Sequence, residues 1–261
     1  MSDSPSVWSW DKLPFRGAIL NTLTVLAGSL LGLWIGKALP TGLQSVAMSG
    51  IGLVVVGMAM KMFFQTKNVL IVAASVVLGG IIGKLIGIDV GLAMAADWAR
   101  RAFGSSDQGF NNGFVTATVL FCVGPMTLMG CIQDGLERKI ELLGIKSLLD
   151  GVCSVFLAAV SLSFGQGVLA SAGVVLLVQG LLTALARPLQ PIAKNPNLIA
   201  EATAAGGAMM LAISFGLLKI PVVESIPKEV FLPSLVIAPL LAYLFERKAT
   251  GNGPGLPDNA L

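Results

Sequence analysis

Residues 113–151 read GFVTATVLFCVGPMTLMGCIQDGLERKIELLGIKSLLDG, and the architecture of the chain is set here. Two long apolar segments are joined by a short polar turn, and each segment carries an aspartate: Asp134 closes the first and Asp150 lies inside the second. The first segment is interrupted by Gly124-Pro125. An ionisable group within a bilayer is costly and is usually kept for a function. The two aspartates therefore mark where we expect a site.

The composition is that of an integral membrane protein. Of 261 residues, 55% are hydrophobic and only 12% are charged, and the mean hydropathy is +0.84, whereas a soluble domain carries about 25% charged residues. The lipid bilayer is therefore the expected partner. The net charge of +3 is spread over many loops, so we expect no nucleic-acid partner.

The chain offers few residues for metal or cofactor chemistry. Histidine, the commonest metal ligand and general base, is absent from the sequence. Its three cysteines, Cys122, Cys131 and Cys153, lie in apolar segments without a C-x-x-C spacing and are interpreted as small buried hydrophobes. We therefore expect no cofactor, no metal site and no disulfide.

Eight segments are long and apolar enough to cross a bilayer, which takes about 20 residues per helix. Because lipid does not tolerate unpaired backbone groups, these segments are predicted as helices, and the fold class is an all-α, polytopic membrane bundle. Proline predicts a kink or interruption in the fourth segment, at Gly124-Pro125, and in the eighth, at Pro233 and Pro239. The eight segments are 17–39, 45–64, 68–88, 113–134, 142–164, 167–187, 199–220 and 230–246.

The connection 89–112 is long, and its first part, 89–103, is amphipathic with Trp98 on its surface, which predicts a helix lying along the membrane. Lys and Arg are more numerous on the side that holds both termini, eleven against six, so both termini are predicted to be cytoplasmic in a bacterial inner membrane. Lys84 and Glu201 are expected at helix ends among lipid headgroups. The N-terminus has no signal-peptide pattern, and 249–261 is predicted to be a disordered tail.

Glycines recur at every fourth residue, which places small residues on one helix face and favours close packing of helices. The two rows are Gly28, Gly32 and Gly36, and Gly79, Gly83, Gly87 and Gly91.

An internal repeat is predicted within a single membrane domain, 1–248. The first repeat, 17–88, resembles the second, 167–246. The central hairpin, 113–164, lies between them in the sequence. Because five spans separate the partners, the copies cross the membrane in opposite directions, a feature of many secondary transporters. The aligned pairs are Asn21 with Ser171, Ser29 with Gln179, Lys37 with Arg187, Gln44 with Glu201, and Gly50 with Gly207.

The candidate site collects the polar residues that fit lipid least, together with the helix break whose free backbone groups can bind ions. Asp150 lies about 12 Å into its span at 1.5 Å per residue, and Lys146 is four residues before it on the same face. Two interpretations stay open: a structural Lys146–Asp150 pair, or a cation, proton or substrate site. The predicted substrate- or ion-binding residues are Asp150, Asp134, Gln133, Asn21, Ser29, Ser171, Gln179, Gly124 and Pro125.

The leading functional hypothesis is a secondary transporter or channel-like carrier of a small solute or ion. The sequence contains no G-x-x-x-x-G-K-[ST] run, so it does not itself predict ATP-driven transport. Two alternatives stay open: a non-catalytic structural or assembly protein, and an intramembrane aspartyl hydrolase in which two aspartates share a proton. No catalytic residue is assigned, and a homo-oligomer is left open.

The chain resembles a known family in the run Phe114–Met126, in Gly130–Gly135 and in Lys146–Gly151. Asn21…Gly28-Ser29…Gly36-Lys37 and Ser171-Ala172…Gln179-Gly180 share the resemblance, which covers about 15–248. The family is the YqgA-like uncharacterised bacterial membrane proteins (domain of unknown function 554). The resemblance implies a polytopic inner-membrane protein of a family whose members are often labelled as candidate transporters, and it carries over no residue roles.

Overall fold

The computed structural model describes residues 15–220 and 228–249, and these form helices and turns without a strand. The polar N-terminal segment and the glycine-rich tail lie outside the described residues. The helices are Arg16–Ala38 (α1), Thr41–Phe63 (α2), Val69–Leu85 (α3), Ile88–Ala102 (α4), Gly109–Cys122 (α5), Pro125–Glu137 (α6), Glu141–Ala159 (α7), Leu162–Ala184 (α8), Ala186–Lys194 (α9), Pro196–Leu217 (α10) and Ser234–Ala249 (α11), with a 3-10 turn at Lys228–Phe231.

The all-α membrane class is confirmed. Six helices are long and apolar enough to cross a bilayer, and the number rises to eight if each of two bent helix pairs is one span. Large apolar side chains cover the outer surface, among them Trp34, Leu70 and Leu85, which are 73%, 77% and 81% exposed. Such a surface suits contact with lipid chains rather than with water.

The predicted interruptions are present. α5 and α6 meet at a bend of 60°, where Gly124 has φ +142°, a value open to glycine but strained for other residues, and Pro125 opens α6. Pro233 separates the 3-10 turn from α11, and Pro239 lies inside α11. A helix is also present where the surface helix was predicted: α4 is bent by 61° from α3. Its placement along the membrane stays a prediction.

The chain divides into two compact units. The described residues of unit 1 are 15–51 and 93–191, and those of unit 2 are 52–92, 192–220 and 228–249.

In unit 1, α1 packs closely against α7, and the two helices run parallel. The first glycine row lies at this contact: a Cβ added to Gly28 would come within 2.1 Å of Ser154 Oγ and 2.3 Å of the Gly151 carbonyl oxygen. The predicted close packing of this row is therefore confirmed. Residue numbers increase in the same direction along both helices, which shows that they are parallel. The contacts are Gly17 with Leu143, Gly28 with Gly151, and Gly36 with Ala159.

α8 runs antiparallel to α1. Gly165, near the start of α8, contacts Leu33 near the end of α1. At the other end, Gly135 of α6 contacts Thr183 near the end of α8, and the neighbouring Asp134 binds the first turn of α1.

In unit 2, α3 and α11 are antiparallel, and so are α10 and the second half of α2. Each of the three helix pairs aligned by the predicted repeat (α1 with α8, α2 with α10, α3 with α11) is therefore antiparallel, the direction that an inverted repeat predicts. The division into repeats stays a prediction. The contacts that fix these directions in unit 2 are Gly79 with Ser234, Gly83 with Val230, Gly52 with Leu218, and Gly207 with Phe63.

One sequence expectation is wrong, and another is met only in part. Gly87 and Gly91 do not continue the face of Gly79 and Gly83, because α3 ends at Leu85 and Gly87 lies in the following turn with φ +71°. Glu201 lies near the start of α10, at a helix end as expected, but it is only 1% exposed, because its carboxylate accepts hydrogen bonds from the turn before α3. Its position among the headgroups stays a prediction.

Candidate functional site

Asp150 is the centre of a buried network in unit 1. Its Oδ2 pairs with the Nζ of Lys146 one turn earlier on α7 and accepts a hydrogen bond of 2.9 Å from Asn21 Nδ2 on α1. The side chains of Lys146 and Asp150 are 7% and 10% exposed, and Asn21 is fully buried. The predicted Lys146–Asp150 pair is confirmed, and it lies inside the protein instead of reaching out to the headgroups.

Asp134 belongs to a second network near the start of α1. It is 6% exposed, and its Oδ2 accepts the backbone N–H of Gly17 at 3.0 Å. An amide in the first turn of a helix has no partner within the helix, so a carboxylate there satisfies a free donor and meets the positive end of the helix dipole.

The polar residues of α1 and α8 fall at matching levels, because the two helices are antiparallel. Gly165 lies beside Leu33 and Thr183 lies near the level of Gly17, so Gln179 lies near the level of Asn21, and Ser171 near that of Ser29. From Gly17 through Asn21 to Ser29, α1 rises by about 18 Å. We call Asp134, Asn21, Lys146, Asp150, Gln179 and Ser29 the polar column.

Several atoms of the polar column have no hydrogen-bond partner among the described residues. They are Asn21 Oδ1, Ser29 Oγ and both amide atoms of Gln179. All three residues are 0% exposed. Leaving a buried polar group without a partner costs about 1–3 kcal/mol, and native proteins normally supply one, often a water or an ion.

The break between α5 and α6 lies close to the polar column. α5 ends at Cys122 and contacts α7, the helix that carries Lys146 and Asp150. On either side of the break, the buried hydroxyls of Thr118 and Thr127 also lack a partner within the described part of the chain. Gly124 and Pro125 thus form the turn that opens the backbone here, as the sequence predicts.

Two predicted site residues contribute less. Ser171 is fully buried at the level of Ser29, but its hydroxyl already donates to the Val168 carbonyl at 2.7 Å. Gln133 is half-buried on α6 beside Asp134, and its Oε1 has no partner within the described residues. Within the described residues, neither makes a hydrogen bond to Asp150, whose partners are Asn21 and Lys146.

A cavity of about 260 Å³ opens beside Asp134. The sequence reasoning did not select its other polar residues, Arg16, Arg138 and Thr183. Thr183 could have been found, since it lies one turn after Gln179 on the same face of α8. The two arginines could not, because they are 122 positions apart and meet only in the fold, where Arg16 Nη2 donates to the Arg138 carbonyl oxygen. The cavity is lined by Phe15, Arg16, Asp134, Gly135, Arg138, Thr183 and Ala184.

The site offers charged and neutral polar groups that can bind a ligand. No group of three potential metal-ligating residues is present among the described residues. The hydrogen bonds of Asp134 and Asp150 go to different groups on α1, at Gly17 and Asn21. These positions differ by about 6 Å along the helix, whereas carboxylates that share a proton must be in direct contact.

The fold and the buried polar site together define a polytopic α-helical membrane protein. The family described as "Protein of unknown function (DUF554)" matches residues 16–243, and the chain belongs to this family. The resemblance in the sequence is thereby confirmed.

Two relatives share nearly the full length of the chain. The "Uncharacterized membrane protein YdfK" of Bacillus subtilis (strain 168) is 28% identical over 232 residues, covering 87% of this chain and 96% of the relative. The "Uncharacterized protein YqgA" of Escherichia coli (strain K12) is 27% identical over 227 residues, covering 85% and 94%. No solved structure gives a significant match.

Proposed function

We propose that this protein is a secondary transporter or channel-like carrier of a small solute or ion, with the polar column beside its path. The observation that carries the proposal is the set of unpaired buried atoms on Asn21, Gln179 and Ser29 next to the Lys146–Asp150 pair. A purely structural polar network is stabilising only when its members are satisfied. Unpaired polar atoms buried inside unit 1 are suited to the reversible binding of a solute or ion.

The Lys146–Asp150 pair gives the path a means of coupling. A proton or small cation on Asp150 competes with Lys146 for Oδ2 of Asp150. The same oxygen accepts the hydrogen bond from Asn21 of α1. Occupation of Asp150 therefore acts on the contact between α7 and α1. The broken α5–α6 span adds backbone groups that can bind an ion, as in carriers with discontinuous helices.

The proposal places the column across the inner membrane with both termini in the cytoplasm. The cavity beside Asp134 then faces the cytoplasm. Near the middle of α1, Gly28 and Gly32 contact the α7 backbone directly, so the path does not run between these two helices at that level.

The test begins with a thermal-shift screen of the purified protein against small ions and metabolites, followed by flux measurements in proteoliposomes for each binder. Asp150→Asn should abolish flux of a binder because the site loses its negative charge. Since this variant also leaves Lys146 buried without its anion, the double variant Lys146→Gln/Asp150→Asn, which has no unpaired buried charge, should be equally inactive. Asp107→Asn is the matched control: Asp107 is exposed, outside the column, and an asparagine can replace both of its hydrogen bonds, to Gly109 N–H and Ser163 Oγ. Equal flux in wild type and Asp150→Asn would contradict the proposal and favour a structural or assembly protein.

A further inference from the structure

We propose that the cavity beside Asp134 binds a small zwitterionic solute, with the ammonium at Asp134 and the carboxylate at Arg138. The inference deepens the proposed function, because it names the substrate class of the carrier.

The cavity presents both signs of charge on one wall. The Asp134 carboxylate lines it, and Gly17 N–H occupies only its Oδ2. Arg138 lines it as well and is exposed. Arg16 is already engaged, since it donates to the Arg138 carbonyl and makes further interactions. Its part is therefore to hold the end of α6 and add positive charge, and Arg138 is left to bind a carboxylate.

A second and independent feature points to a ligand. Thr183 lines the cavity and is 6% exposed, yet its hydroxyl has no hydrogen-bond partner within the described residues. Its polar neighbour is the Cys131 thiol, which is a weak partner. A hydroxyl can donate to a carboxylate or accept from an ammonium, so it suits a ligand that carries both.

The helix ends around the cavity also carry both signs. α1 begins there, and α6 and α8 end there, so the positive end of one helix dipole and the negative ends of two others lie beside the cavity. Helix starts favour anions and helix ends favour cations. An ion of a single sign meets one of these sets unfavourably, whereas a zwitterion can satisfy both.

The size fits a small amino acid. The cavity of about 260 Å³ has room for a three-carbon amino acid together with some water.

The test uses three probes of nearly equal shape on the purified full-length protein: L-alanine, propionate and propylammonium. L-alanine at saturation should raise the melting temperature by about 3 °C, and each singly charged probe should give less than half of that shift. Propionate as effective as L-alanine would overturn the proposal in favour of an anion site, and no shift with any probe would overturn it outright.

Two variants separate recognition from folding. Asp134→Asn keeps an acceptor for Gly17 N–H but should lose at least about tenfold in affinity for L-alanine and keep propionate binding. Asparagine suits the left-handed backbone at position 138, φ +57°. Arg138→Asn should therefore fold, lose the binding of L-alanine and keep the binding of propylammonium. Asp107→Asn should respond as wild type. A variant that weakens all probes equally would assign a structural role to the residue and contradict the proposal.

The two proposals fail separately. If L-alanine does not bind but another solute shows Asp150-dependent flux, only the substrate class is wrong. If L-alanine binds through Asp134 and Arg138 but no flux depends on Asp150, the binding site is supported and the proposal of a carrier is wrong.

Discussion

Each unit contains a carboxylate that is almost fully buried, and the two are used in different ways. In unit 2, Glu201 accepts three hydrogen bonds, from Thr66 Oγ1 at 2.7 Å and from the backbone N–H groups of Lys67 and Asn68 at 2.7 and 2.9 Å. In unit 1, Asp150 accepts from Asn21 and Lys146, and unpaired polar atoms surround that network. The hydrogen bonds of Glu201 stabilise a turn, whereas Asp150 lies in a site where further polar atoms are still able to bind a ligand.

The difference teaches that burial alone does not identify a functional carboxylate in a membrane protein. Both groups carry the cost of leaving water. What distinguishes them is whether the surrounding donors and acceptors are already matched. We expect mutations at Glu201 to act on folding and mutations at Asp150 to act on transport.

Glu201→Ala should produce the largest effect on stability. It removes all three hydrogen bonds of a nearly fully buried carboxylate and leaves two partly buried backbone N–H groups and a hydroxyl without their acceptor, and we expect a loss of about 4 kcal/mol in the free energy of unfolding. Denaturation in mixed micelles measures it. Glu201→Gln keeps one acceptor oxygen and should lose less. A stable Glu201→Ala protein with reduced flux would reverse the comparison.

Lys146→Met should cost about 3 kcal/mol, because it leaves Asp150 buried without its cation. The double variant Lys146→Gln/Asp150→Asn replaces the pair by two neutral amides and should recover stability to within about 1 kcal/mol of wild type. Its flux should stay absent. Recovery of both stability and flux would show that the pair is structural, like Glu201.

A smaller effect is expected at Asp107, an exposed carboxylate in the loop before α5. The N–H of Gly109 and then the hydroxyl of Ser163 hold the pKa of Asp107 below its ordinary value of 3.8. Because the folded pKa is lowered, its stabilisation is complete above pH 3.8 and is lost as the pH falls through the folded pKa. As the pH is lowered through this range, the melting temperature of Asp107→Asn should therefore fall slightly less than that of wild type. An identical acid dependence in both proteins would contradict this role.

Much of the fold could be predicted because membrane spans depend on local properties. Apolar length identified the long helices, Gly124-Pro125 predicted the break between α5 and α6, and the spacing of four residues predicted the Lys146–Asp150 pair. Each of these signals lies within a single segment of the chain.

The rest depends on contacts between distant segments. The burial of Glu201 could not be predicted, because the turn that it binds is more than 130 positions earlier in the sequence. Lys67 and Asn68 use backbone groups there, which leave no trace in side-chain chemistry. The cavity beside Asp134 escaped for the same reason, since Arg16 and Arg138 meet only when α1 packs beside α6.

The central claim, that a solute or water reaches the polar column, is tested most directly by comparing two buried serines. Ser29 and Ser75 are both 0% exposed, but the hydroxyl of Ser75 donates to Val72 O at 2.8 Å and that of Ser29 has no partner among the described residues. Each is changed to cysteine in a background whose three native cysteines are replaced, and membrane vesicles are treated with a small water-soluble thiol reagent. We predict that Ser29→Cys is modified and Ser75→Cys is not. Protection of both cysteines, or equal labelling of both, would contradict the account.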